Sequence, residues 1–360
     1  MGAPRDPLES AIENLHPAYF ALVMATGIVS IAAKIEGLSG IALALFIGNI
    51  AAFLGLWVIM AVRAIRFPRS FLRDIADHSR GPGFFTWVAG SGVLGSQFIL
   101  IVDSPALAFA LWVLTLVLWL LVTYGVFTAL STRQSKPPLE EGINGGWLVA
   151  IVATQSVSIL STLVAPSLAE GKEEVLFLAL SGWLFGGMLY IWIISLIFYR
   201  YTFLKFTPTD LSPPYWINMG AMAISTLSGA VLLASAHSSP LLEKFAPFMR
   251  GLTLLFWATG SWWIPLLLIL GVWRYLVRRF PFAYDPLYWG MVFPLGMYTV
   301  CTEKLAVVMR LPFLLIIPRF FVYIALFAWG ATALGWVIGA LGPVLARVLG
   351  LRGFSASKAR

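Results

Sequence analysis

The chain has few of the side chains on which enzymatic and metal chemistry usually depend. Its 360 residues include one cysteine, three histidines and 16 acidic residues, and charged residues make up only 11%. A single cysteine cannot form an internal disulfide, and no spacing of Cys and His resembles a metal site. We find no buried pairing of nucleophile and base, so we expect neither an enzyme nor a cofactor.

Apolar residues are abundant instead. They make up 60% of the chain, far above the usage of a soluble domain. A membrane-spanning helix needs roughly 20 mainly apolar residues, because the hydrocarbon core is about 30 Å thick. The sequence offers ten such stretches: Pro17 to Ile35, Ile41 to Ile65, Phe84 to Val102, Pro105 to Leu130, Gly146 to Ala165, Val175 to Leu204, Tyr215 to Ala236, Phe245 to Leu276, Pro286 to Met309 and Pro318 to Leu349. We expect one transmembrane domain over residues 1–360, with tails at 1–16 and about 350–360.

The formal net charge of +8 is concentrated in alternate loops, which in a membrane protein sets topology and does not indicate a nucleic-acid partner. The basic residues of these loops include Arg63, Arg66, Arg69, Arg73, Arg80, Arg133, Lys136, Arg200, Lys205, Arg274, Arg278 and Arg279. The positive-inside rule predicts a multi-pass protein of the cell membrane with both termini in the cytoplasm.

Every second span opens with an aromatic residue and continues through small and hydroxyl residues, without central charges. These segments begin at Phe20, Phe85, Trp147, Trp216 and Trp289, at intervals of 65, 62, 69 and 73 residues. So regular an interval indicates a repeated unit. A longer and more hydrophobic span follows each of these segments. The sequence therefore predicts an all-α integral membrane fold: ten transmembrane helices as five parallel helical hairpins around a central pore.

The small and hydroxyl residues of the odd spans are candidates for the pore lining. They include Thr26, Gly27, Ser91, Gly92, Thr154 and Ser225. Small residues in spanning helices also serve helix packing, which is the alternative for each of them. Because cation pathways usually carry carboxylate rings and the central odd spans have none, a small anion is the expected substrate.

Three further features concern the ninth span. Phe293 precedes Pro294, which predicts a kink beside a large ring. Such a ring either plugs a narrow pore or packs against a neighbouring helix. Lys304 and Arg310 are candidates for an anion vestibule, and otherwise extend to the membrane interface.

Three motifs resemble the tellurite-resistance/dicarboxylate transporter family, which includes plant slow-type anion channels. They are HPAYFALVMATGIVS from His16, DHSRGPGFFT from Asp77 and YWGMVFPLGMYT from Tyr288. The resemblance implies five hairpins around a pore in each subunit of a homotrimer. It also implies that a mid-pore phenylalanine, here Phe293, blocks conduction. Pro294 stands where some channel members carry glycine.

Two functional hypotheses remain open at this stage. The first is an anion channel or facilitator constricted by Phe293. The second is a proton-coupled carrier or exporter of a C4-dicarboxylate such as malate, or of sulfite. An intramembrane enzyme lacks the groups that it needs, and a purely structural or receptor-like protein would leave the small polar repeat unexplained.

Overall fold

The computed structural model describes residues 7–281 and 284–348, with side chains over 9–281 and 284–339. Within these ranges the regular elements are all helical. The α-helices are α1 (Pro7–Glu13), α2 (Ala21–Ile35), α3 (Ser39–Arg66), α4 (Pro68–Ile75), α5 (Phe85–Val102), α6 (Pro105–Thr132), α7 (Leu139–Gly142), α8 (Val149–Val164), α9 (Lys172–Phe203), α10 (Ile217–Ala234), α11 (Pro240–Val272), α12 (Trp289–Met309) and α13 (Ile316–Val348).

The predicted number of spans is confirmed. In the described part of the chain, ten helices are long and apolar enough to cross a membrane. Most of their ends lie within three residues of the predicted ones, but the eighth and tenth begin earlier, at Pro240 and Pro312. Proline needs no amide partner in the first turn of a helix, so each of these prolines starts a helix without losing a hydrogen bond. The predicted last residue of the tenth span, Leu349, lies outside the described residues.

The ten long helices form two concentric rings. In α2, α5, α8, α10 and α12, between 72% and 94% of the central residues are buried, against 17% to 44% in the helices that alternate with them. Each of these five inner helices packs against the next, and α12 returns to α2, which closes the inner ring. Each also packs against the outer helix that follows it, so the repeated unit is a helical hairpin.

Tryptophans of the outer ring hold the inner helices by hydrogen bonds to their hydroxyl groups. In each case an indole Nε1–H donates to a Ser or Thr oxygen at 2.8–3.0 Å. These bonds join Trp112 to Ser161, Trp119 to Thr154, Trp257 to Thr302 and Trp329 to Thr26. A buried indole needs such an acceptor, since water is absent at this depth.

The repeated aromatic residue has a packing role at the start of each inner helix. Every inner α-helix is preceded by a short 3-10 turn, and the aromatic lies at or near the junction. In three of the repeats its side chain contacts an aromatic side chain of an outer helix: Phe20 with Phe53, Phe85 with Phe127, and Trp289 with Trp329. The motif that revealed the repeat thus joins the inner helix to the outer one.

Arginines at the carboxyl ends of outer helices bind the segments that precede the inner helices. Arg63 of α3 donates from Nη2 to Asp74 at 2.6 Å and from Nε to the Glu13 carbonyl at 2.9 Å. Arg200 of α9 makes the corresponding contacts, with Asp210 at 2.9 Å and with the Ile143 carbonyl at 2.6 Å. These buried charges are paired, as low-dielectric surroundings require.

Candidate functional site

Two cavities lie on the same faces of the five inner helices. On each helix their lining residues lie three, four or seven positions apart, with Gly92 as an additional neighbour of Val93, and such spacings keep them on a single helical face. On α2 they are Ala21, Met24, Ile28, Ile31 and Ile35. One cavity takes the early residues of all five helices and the other takes the late residues, so the inner helices are parallel. We name them the amino-end cavity and the carboxyl-end cavity.

The amino-end cavity is the wider and more polar of the two. Its volume is about 310 Å³, and its wall is made by the five 3-10 turns, the loops before four of them and the first residues of the inner helices. The polar side chains in its wall are His16, Ser79, Arg80, Thr86, Asn144 and Ser212. The remaining wall is mostly alanine, glycine and proline, which leave backbone close to the cavity.

Arg80 is the charged residue of the amino-end wall, and the surrounding chain fixes its position. Its Nε lies 2.8 Å from Asp74, and its Nη2 donates to the carbonyls of Leu15 at 3.0 Å and Asn14 at 3.2 Å. Asp74 is itself buried between Arg80 and Arg63. The guanidinium is therefore held at the wall by three anchors on its Nε and Nη2 sides.

His16 stands beside Arg80 at the start of the first inner helix. Its Nδ1 accepts a hydrogen bond from the amide of Ala18 at 3.0 Å, as an N-capping side chain does. Burial, followed by the Arg80 charge, lowers the pKa of His16 from its ordinary 6.5 to about 4. At neutral pH the ring is uncharged, and because Nδ1 accepts, the proton is on Nε2.

The carboxyl-end cavity is narrow and almost wholly aliphatic. Its volume is about 60 Å³. The lining is isoleucine, leucine, valine and methionine, with Gly92, Ser96, Ser156 and Lys304 as the exceptions. Lys304 pairs with Glu303 at 3.3 Å. Burial and the Glu303 charge raise the pKa of Glu36, which follows α2 at the same end.

A layer of five residues separates the two cavities on the axial faces. By helical register these residues are Met24, which also belongs to the amino-end lining, and Ala89, Val152, Gly220 and Phe293, each three or four positions before the first residue of the carboxyl-end lining. All five are buried, and Phe293 is the aromatic among them.

Pro294 lies against Gly220 of the neighbouring helix α10. A Cβ atom on Gly220 would lie 2.6 Å from Pro294 Cγ, closer than packed atoms approach. Glycine at this position therefore leaves space for the ring of Pro294, the residue that follows Phe293.

The structure brings only some of the predicted lining residues to the cavities. Gly92 lines the carboxyl-end cavity, against Ser156. Gly27 packs on Val93 of the adjacent helix. Thr26 and Thr154 accept hydrogen bonds from outer-ring indoles, and the hydroxyls of Ser91 and Ser225 donate to carbonyls of their own helices at 2.8 and 2.7 Å.

The two vestibule candidates are separated. Lys304 is part of the carboxyl-end lining. Arg310 lies beyond the end of α12, in a left-handed conformation with φ 56°, and its side chain is exposed.

Sequence reasoning does not find the site roles of Arg80, which it uses only for topology, or of His16, which it uses only as the start of a motif. It also does not find the aliphatic lining, because it looks for a pore by hydroxyl content. The spacing 21, 24, 28, 31 and 35 was present in the sequence and, repeated in five helices, was the signal for the axial face.

Comparison with known proteins identifies relatives along nearly the whole chain. An uncharacterized membrane protein of Mycobacterium tuberculosis is 38% identical over 144 residues, which are 40% of this chain and 73% of that protein. An uncharacterized transporter of Methanocaldococcus jannaschii is 26% identical over 89% of this chain and 92% of its own length. The sulfite efflux pump SSU1 of Trichophyton rubrum is 23% identical over 89% of each chain.

The match to a protein family extends over both the inner and the outer helices. The model of the SLAC1 family, described as voltage-dependent anion channels, matches residues 14–337. This range contains both cavities and all five hairpins, apart from the last residues of α13. The chain belongs to the SLAC1 family of voltage-dependent anion channels.

Proposed function

We propose that this protein is an anion channel or facilitator whose pathway follows the axis of the inner ring. The pathway starts in the amino-end cavity, passes the layer that contains Phe293 and continues through the carboxyl-end cavity. The observation that carries this proposal is that both cavities use the same face of all five inner helices. A packed bundle with no axial path has no need for that coincidence.

The charges of the lining favour an anion. Among the described residues that line the two cavities, the charged ones are Arg80 and Lys304. Acidic rings, which select cations, are not found in these linings. One cationic side chain at each end would bind an anion only weakly. Weak binding suits a permeating ion, which must leave as readily as it enters.

Phe293 and Pro294 form the constriction in this proposal. Phe293 is the largest side chain of the separating layer, and Pro294 follows it inside α12. Gly92 keeps its predicted place in the lining. For Thr26, Gly27, Ser91, Thr154 and Ser225 we propose a supporting role, in which they fix the positions and rotations of the inner helices.

The setting of the pathway follows from sequence features. We propose a single transmembrane domain in the cell membrane, with both termini and the amino-end cavity on the cytoplasmic side, because the basic loops lie at that end. The family resemblance supports a homotrimer with one pathway per subunit. Transport without catalysis is the proposed activity. Lys304 serves as the anion vestibule at the outer end, with Arg310 at its surface.

The second candidate is a coupled carrier or exporter of sulfite or of a C4-dicarboxylate such as malate. The observation that favours it is the similarity to proteins named sulfite efflux pumps. Coupling to protons requires a titratable group on the path, and in this structure His16 has that position at the amino-end cavity.

Flux through purified protein in proteoliposomes distinguishes these candidates. Chloride, nitrate, sulfite and malate are compared, each with and without a pH gradient. A channel gives anion currents that follow the electrochemical gradient of the anion alone. Saturable flux that stops when the pH gradient is collapsed supports the carrier, and absence of anion flux in every condition contradicts both.

A further inference from the structure

The amino ends of five inner helices converge on the amino-end cavity, which raises the question of what holds an ion there. Backbone amides are the usual answer at a helix start. Here, however, side chains of the protein already cap three of the five starts. His16 accepts from Ala18 N, Asn144 accepts from Gly146 N, and an Asp285 oxygen accepts from Leu287 N. The donors for a ligand must therefore come mainly from side chains in the wall.

Arg80 and His16 each have a donor still available, beside the Asn144 amide and the Ser212 hydroxyl of the same wall. The Nε and Nη2 of Arg80 are engaged by Asp74 and by two carbonyls, and among the described residues its Nη1 has no such partner. In His16 the cap occupies Nδ1, so the Nε2–H remains for a ligand. The arginine contributes charge and the imidazole contributes a neutral, directional donor.

The hydroxyls and the volume of the cavity add a constraint on the ligand. Ser79 donates to Asp77 at 2.6 Å and Thr86 donates to the Gly83 carbonyl at 2.7 Å, so these two hydroxyls have acceptor capacity only. A volume of about 310 Å³ exceeds what a bare halide fills. Separate donors around a wide cavity match an anion with several oxygens, each of which takes its own hydrogen bond.

We propose that the amino-end cavity is a binding site for a polyatomic oxyanion, held by Arg80 Nη1 and His16 Nε2 in preference to a halide. Nitrate, sulfite and carboxylates share this chemistry. The inference rests on the proposed function, because it names the ion class that the pathway loads. Asp74 acts as a positioning residue: with Arg63 it holds the Arg80 guanidinium at the wall.

Binding to the purified full-length protein tests the site without depending on flux. Sodium nitrate and sodium chloride are titrated at constant ionic strength, and affinity is taken from ligand-induced thermal stabilisation or calorimetry. The wild-type protein should bind nitrate more tightly than chloride. Arg80→Gln should weaken nitrate binding about tenfold, since a charge-assisted hydrogen bond is lost.

His16→Asn is the sharper variant, because asparagine is itself a good N-cap. It retains an acceptor for the Ala18 amide and removes the Nε2–H. We expect nitrate affinity to fall about fivefold, the loss of one neutral hydrogen bond, with chloride affinity nearly unchanged. Should Arg80→Gln fail to fold, Arg80→Lys and His16→Asn still test the site.

Arg133→Gln is the matched control. Its guanidinium bonds the Ala76 carbonyl at 2.6 Å near the same end but lies outside the cavity wall. Nitrate affinity should not change in this variant. If His16→Asn and the Arg80 variants keep the wild-type ratio of nitrate to chloride affinity, the site is contradicted, even where wild-type flux supports the transport proposal. Absence of wild-type flux with normal nitrate binding would instead contradict the transport proposal and leave the site standing.

Discussion

The two cavities of the inner ring differ in almost every physical respect. The amino-end cavity is about five times larger and is lined by an arginine, a histidine, hydroxyls and an amide. The carboxyl-end cavity is aliphatic, and its lysine is paired with Glu303. The amino-end cavity can therefore replace more of an ion's hydration shell than the carboxyl-end cavity, where Lys304 is the charged group of the lining. Under the proposed function, recognition of the ion and resistance to its flow are then placed at different depths.

Substitution of Phe293 by Ala should have the largest effect, because it opens the layer between the cavities. We expect anion conductance in planar bilayers to rise at least about tenfold, which corresponds to about 1.4 kcal/mol off the barrier. Phe256→Ala is the matched control: it removes an equally buried ring from α11, where the ring packs on Trp183. An equal rise in both variants would assign the effect to general loosening and contradict the constriction.

Replacing Lys304 by Gln should test the charge of the carboxyl-end cavity. The change leaves Glu303 unneutralised at an anion path, so we expect unitary anion current to fall about threefold, the modest effect of a partly exposed charge. Raising ionic strength should reduce the difference between the two proteins. Lys172→Gln, a change in a surface lysine that bonds the Ser238 carbonyl, should leave the current unchanged. A larger current in the Lys304 variant would contradict the proposed vestibule.

Thr26→Val should test whether the hydroxyls support the helices or line the path. The change removes the acceptor of the Trp329 indole, so we expect a loss of about 1 kcal/mol and a melting temperature about 2 °C lower. Current and selectivity should not change. Thr259→Val, which removes an exposed hydroxyl bonded within its own helix, is the control. Altered ion selectivity with unchanged stability would contradict the supporting role and indicate that Thr26 lines the path.

A pH effect on stability is also expected, and it is confined to the amino end. The lowered pKa of His16 means that the unfolded chain binds a proton more readily than the folded one between pH 6.5 and about 4. The contribution of His16 to stability is therefore complete above pH 6.5 and is lost as the pH falls toward 4. Thermal melts should show wild type losing more stability than His16→Asn over this range. Parallel pH profiles would contradict the buried neutral histidine.

The sequence was sufficient for the ten spans, because long apolar runs and alternating basic loops are properties of composition along the chain. The rotation of each inner helix was much harder to derive. An inner helix such as α8 is buried on all sides, so hydrophobicity gives no direction to its axial face. Thr154 was chosen for its hydroxyl and lies against Trp119, whereas Ser156, two positions on, lines the cavity.

The amino-end site was beyond the sequence for a different reason. Arg80 is one of several basic residues in its loop, and although it lies in the motif DHSRGPGFFT, nothing in that motif gives its arginine a role of its own. Its role depends on Asp74 and on the carbonyls of Asn14 and Leu15, which only the folded chain brings to it.

The hydrogen bonds from outer-helix tryptophans to inner-helix hydroxyls would restrict how the proposed pathway opens. To turn an inner helix about its own axis, the protein would have to break hydrogen bonds such as Trp329 to Thr26 where no water can replace them. Rotation of the Phe293 side chain alone needs no such rupture. Under the proposed function, opening is then a local event inside a stationary wall, unlike the slow collective transition of a moving helix bundle.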